Sequence, residues 1–144
     1  MKNQLAVISA LLLGFMPIAA LADVTAEPLS GVTIEDASAT TAGQGETSQV
    51  RFRISNSGVD DIALIGISSD VSESGAIVID DPLSGDRDIE MLTVLREEEL
   101  DLTTSHIRGE LRNVTEPFVE GEFVAFNLVF RSGTVSAEAH IHRP

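Results

Sequence analysis

Val135-Ser136-Ala137-Glu138-Ala139-His140-Ile141-His142 puts Val135, Ala137, Ala139 and Ile141 on one side and the polar residues on the other. That period of two belongs to a strand with one face buried and one in water. Ser132-Gly133 before it reads as a tight turn, and Phe123 to Phe130 upstream is apolar at almost every position, as a strand covered on both faces would be. Phe123, Phe126 and Phe130 are expected to supply much of an aromatic core in a chain without Trp or Tyr. Val50, Phe52 and Ile54 alternate with Arg51 and Arg53, Ile62 to Ser68 follows the turn-like Asn56-Ser57-Gly58, and Ala76 to Ile79 is a short apolar strand. The best helix candidate is Arg96 to Leu100, barely one turn. Short strands punctuated by Gly, Ser, Asn and Asp predict one all-β domain, a sandwich or barrel, over residues 31–144.

The chain opens with Lys2, an apolar run from Leu5 to Met16, and Ala20-Leu21-Ala22 before a polar change at Asp23. This is the pattern of a cleaved secretory signal, with residues 1–22 removed and 23–30 forming a short mobile lead-in. The apolar run is too short to span a bilayer, which takes about 20 residues, so no membrane anchor is expected after cleavage. The net charge of −14 repels nucleic acid and anionic lipid. Cysteine is absent, which excludes disulfides, thiol exchange and thiolate metal sites.

No phosphate loop, nucleophile elbow or HExxH stands in the chain, and no nucleophile, base and orienting group can be named together, so an enzyme is not expected. The acids from Asp80 to Glu90 read as an acidic loop that lacks the spacing of a calcium-binding EF-hand. Past the signal there is one methionine, Met91, and three histidines, His106, His140 and His142. Thioether and imidazole suit copper. His140 and His142 sit two apart on one strand face, about 6.5–7 Å apart at the backbone, so both rings could reach one ion; against this stands a frayed C-terminus.

Three stretches resemble the periplasmic PCuAC-type copper(I) chaperones. Val32-Thr33-Ile34-Glu35-Asp36-Ala37 is similar to their opening strand. Phe52 to Gly58 followed by Leu64-Ile65-Gly66-Ile67-Ser68-Ser69 is similar to their next two. Phe118 to Glu122 and Phe126 to Phe130 match a later pair. The resemblance covers residues 30 to 141 and implies a single cupredoxin-like or immunoglobulin-like β-sandwich, a periplasmic location, copper as cargo, and a copper-accepting partner protein.

The family's ligand motif is His, ten residues, Met, about twenty-one residues, then His-x-Met, a soft set suited to Cu(I). On this chain Met91 matches the first methionine and His106 the second histidine, whereas Asp80 stands for the first histidine and Arg108 for the last methionine. Only fourteen residues separate Met91 from His106. The resemblance thus gives Met91, His106 and Asp80 as the metal positions, with His140 and His142 as a second set. A carboxylate and imidazoles in place of thioethers would move preference from Cu(I) toward Cu(II) or Zn(II). Arg108 cannot coordinate a metal, and an Asp80–Arg108 ion pair is expected to fill part of the space copper would take. Two functions follow: a copper-binding carrier with a degenerate site, or a non-metal interaction module that kept the scaffold and lost the metal.

Overall fold

The chain forms ten strands, the period-two segments among them, in a computed structural model that describes residues 29–144. They are β1 (Val32–Thr40), β2 (Ser48–Asn56), β3 (Ile62–Ser68), β4 (Ser72–Asp81), β5 (Gly85–Ile89), β6 (Leu92–Val94), β7 (Glu99–Asp101), β8 (Ile107–Val114), β9 (Phe123–Phe130) and β10 (Gly133–His142). The expected signal peptide and residues 23–28 of the lead-in lie outside the described residues. Leu29, also placed in the lead-in by the sequence, already packs against the core.

The strands hydrogen-bond in the order β5-β4-β8-β2-β1-β10-β9-β3-β6, with β7 pairing β2 beside β8. This long sheet folds over on itself so that β3 lies against β4. Gly75 of β4 marks the contact: a Cβ there would sit 2.0 Å from the Ile67 carbonyl oxygen of β3. Between the two layers, Phe52 of β2 meets Phe126 of β9 at a ring-centroid distance of 6.0 Å. Ile54, Leu64, Leu111, Leu128 and Ile141 fill the space around them. The architecture is the all-β sandwich the sequence predicts.

Several local expectations change. Arg96–Leu100 is not helical. Glu97 adopts a left-handed φ of 62°, the Arg96 amide donates to Asp61 Oδ1 at 2.9 Å, and Leu100 turns into β7 opposite Ile54. Burying Leu100 beside β2 outweighs the weak helix propensity of three glutamates. The strand Phe123–Phe130 is covered on one face only: Val124, Phe126, Leu128 and Phe130 are buried, whereas Phe123 is 65% exposed and outside the core. Phe118, from the preceding loop, joins the core instead. The C-terminus does not fray. β10 is an inner strand between β9 and β1, pairing Ser38 with His140 and Thr40 with His142 in parallel.

Candidate metal centre

The acidic stretch Asp80–Glu90 is a hairpin rather than a loop. β4 runs into β5 through a turn in which the Asp81 carboxylate accepts from the Leu83 amide and the Ser84 hydroxyl, at 2.9 and 2.6 Å. β5 is the edge of the sheet, and β8 flanks β4 on the other side. Register places Val78 opposite both Asp88 and Arg108, and Asp80 opposite Asp86. Alternation therefore gathers Asp80, Asp86, Asp88, Arg108, Glu110 and Arg112 on one outer face.

Arg108 is 6% exposed and donates to Asp86 at 2.5 Å and to Glu110 at 3.0 Å. Arg112 grips Asp88 with both terminal nitrogens, at 2.7 and 3.0 Å, and donates from Nε to Glu110 at 3.1 Å. Such bidentate, charge-assisted bonds are the strong ones. Val78, opposite Arg108 in the register, is buried on this outer face, apart from the main core. The Asp80–Arg108 ion pair expected from the sequence does not form. Asp80 is not among the carboxylates within 4 Å of Arg108; Asp86 and Glu110 take the guanidinium instead. The signal was present in the sequence as two complementary runs, Asp86-x-Asp88 and Arg108-x-Glu110-x-Arg112, each pointing alternate residues to one face.

These bonds have electrostatic consequences. Burial works against the Arg108 charge, but Asp86 and Glu110 outweigh it and raise its pKa above the ordinary arginine value. The hydrogen bond from Arg112 holds the Asp88 carboxyl below the usual carboxylate range. A depressed carboxylate adds stability that is complete above its unfolded pKa, about 3.9, and is lost as pH falls through the lower folded value. Asp88→Asn is therefore expected to destabilise the protein at pH 7, with the difference from wild type shrinking toward zero by pH 2. Urea unfolding at the two pH values checks this; a deficit of equal size at both would mean the pair acts through packing alone.

Of the three family positions, Asp80 and His106 meet at the backbone, where the Asp80 amide donates to the His106 carbonyl at 2.8 Å. His106 is exposed in the bend before β8. Met91, 45% exposed between β5 and β6, lines a shallow groove with Ile79, Arg87 and Glu90. His140 and His142 share the exposed face of β10, as the sequence predicts, but the His140 ring stacks edge-on against Phe123 at 5.1 Å. The His142 Nδ1 lies 2.7 Å from the Arg143 carbonyl oxygen. Among the described residues, no three His, Asp or Glu side chains are grouped so as to hold a metal ion.

No protein-family model matches the chain, and no curated protein matches its sequence. Solved structures do. The copper-bound PCuAC domain from PmoF2 superposes with a TM-score of 0.68 at 19% identity, covering 83% of this chain and 98% of that domain. The fold is that of a PCuAC domain. The apo PCuAC domain from PmoF1 gives 0.67 at 16% identity, over 83% of this chain and 99% of that one. The solution structure of CuI-DR1885 from Deinococcus radiodurans gives 0.59 at 18% identity, over 81% of each chain. On this scaffold Arg108, which the motif spacing matched to the family's last methionine, is buried and bonds to Asp86 and Glu110 through Nη2, while its Nε is buried without a partner.

Proposed function

We propose that this chain is an exported, periplasmic copper carrier that binds through Met91 and His106, with Asp80 at the third position, and passes the ion to an acceptor protein. What carries the reading is that both retained soft ligands are exposed on a PCuAC scaffold. An exposed, under-filled ligand set leaves room for an acceptor's ligands to enter, which suits a carrier more than a storage site. Arg108 opposes copper less than its charge suggests. Its guanidinium is turned into Asp86 and Glu110, and the outer-face cluster sets two guanidiniums among three carboxylates. Export rests on residues 1–22, and no catalysis is proposed.

The Arg108 network also favours a second reading, a binding module for another protein that has exchanged the metal for ion pairs. Copper titration separates the two. Under reducing conditions, with a competing Cu(I) chelator, wild type is expected to bind one Cu(I). The Met91→Leu/His106→Ala double variant is expected to lose that binding by a factor of about 100 or more, since even residues that only support ligands are worth 10–100-fold. Absence of Cu(I) binding in wild type would overturn the carrier reading in favour of the module. Binding of Cu(II) or Zn(II) alone, untouched by the double variant, would overturn the Met91–His106 site and transfer it to His140 and His142.

A further inference from the structure

His106 sits on an excursion of the chain, and one side chain accounts for how that excursion is held. β7 and β8 both pair with the same edge of β2, β7 at Arg53–Ser55 and β8 at Ser48–Val50. Between them the chain leaves the ladder, so residues 102–105 have carbonyls with no strand to receive them. The gap in the ladder falls at Arg51 and Phe52. The Phe52 carbonyl is taken by the Leu102 amide at 2.9 Å. Arg51, on the outer face, reaches across the gap with Nη1, donating to the Ser105 carbonyl at 2.5 Å and lying 3.3 Å from the carbonyls of Leu102 and Ile107.

Ser105 and Ile107 flank His106, whose own carbonyl is held from the opposite side by the Asp80 amide. The Ser105 hydroxyl closes the bend by accepting from the Ile107 amide at 3.0 Å. All three carbonyls face Nη1, whose N–H bonds are fixed in the guanidinium plane, whereas an ammonium carries its three donors on a freely turning, flexible stem.

We infer that Arg51 is a positioning residue for His106: by holding the carbonyls on either side, it fixes the direction in which the imidazole leaves the sheet. The inference deepens the copper reading and rests on it for the role of His106 as a ligand; the clamp itself stands on the hydrogen bonds alone. Without the clamp the loop samples more conformations, and apparent affinity falls by the fraction that remains competent.

The test is Arg51→Met, which keeps the aliphatic stem and removes the donors, beside Arg51→Lys. Amide hydrogen exchange of Thr103 and Ile107, the loop amides with hydrogen-bond partners, is expected to quicken about tenfold or more in Arg51→Met, with exchange in β9 and β10 unchanged, as local opening predicts. Arg51→Lys is expected to recover only part of the protection. Cu(I) affinity should weaken by about tenfold in Arg51→Met if the competent fraction falls to about a tenth. Unchanged exchange at Thr103 and Ile107 overturns the clamp. Faster exchange with unchanged Cu(I) affinity overturns the positioning role. If wild type takes up no Cu(I), the copper reading and the ligand-positioning role fall together, while the exchange data still decide whether Arg51 holds the loop.

Discussion

Gly75→Ala is expected to destabilise the protein by about 3 kcal/mol or more, the upper end for forcing an extra carbon into a packed interior. The added Cβ would stand 2.0 Å from the Ile67 carbonyl oxygen and 2.8 Å from its carbonyl carbon. Both are backbone atoms, so no rotamer change relieves the clash; β3 and β4 would have to move apart. That separation would open the layer contact above Ile77 and Ile67, two buried core residues. Gly66→Ala is the control. It lies on β3, next to Ile67, with open space around its position, and should change stability by no more than about 0.5 kcal/mol. The midpoint of urea unfolding measures both. Equal, small effects would mean that β3 and β4 do not approach as closely as described.

The contrast between these glycines shows what a sequence of this kind conveys. Alternation and apolar runs located β2, β3, part of β4, β9 and β10, because a half-buried strand must repeat every two residues whatever it packs against; the short or charged strands β5 to β8 gave no such signal. The order of strands in the sheet was not legible, nor was the closure at Gly75, since two glycines in similar strands look alike until the opposite layer is present. Leu100 and Phe123 misled for the same reason. A run of glutamates favours helix only when no strand edge offers burial to the leucine beside it, and an apolar run says nothing about which face stays open. At the candidate site, Met91 and His106 stood out because they are scarce. The arginine clamp did not, because Arg51 looks like any outward residue of an alternating strand until the break between β7 and β8 falls beside it. The partner of Arg108 was misassigned to Asp80 by motif spacing. Hairpin register brings Asp86 back alongside β4, and a carboxylate six positions later in sequence became the nearer one.

Restoring the two departed ligand types gives the largest functional effect expected of this chain. Asp80→His with Arg108→Met should tighten Cu(I) binding by at least about 100-fold over wild type, given that even supporting residues contribute 10–100-fold and that thioether and imidazole suit the monovalent ion. Stability should fall at the same time. Breaking a buried pair costs about 3–5 kcal/mol when it strands a charge, but here the loss should be nearer 2 kcal/mol. Asp86 is half-exposed and can be hydrated, and Glu110 keeps Arg112. Competition with a Cu(I) chelator reads the first effect and urea unfolding the second. The single variants divide the cause. If Asp80→His alone gives nearly the whole gain, the Arg108 charge is already spent on Asp86 and Glu110 and does not repel the ion. If the gain needs Arg108→Met as well, the guanidinium is the obstacle, by charge or by occupying the ligand's place. If the double variant gains nothing, the connection of fourteen residues between Met91 and His106 is what keeps the ligands apart. The chain would then be a PCuAC scaffold whose loop length, rather than its side chains, has closed the copper site.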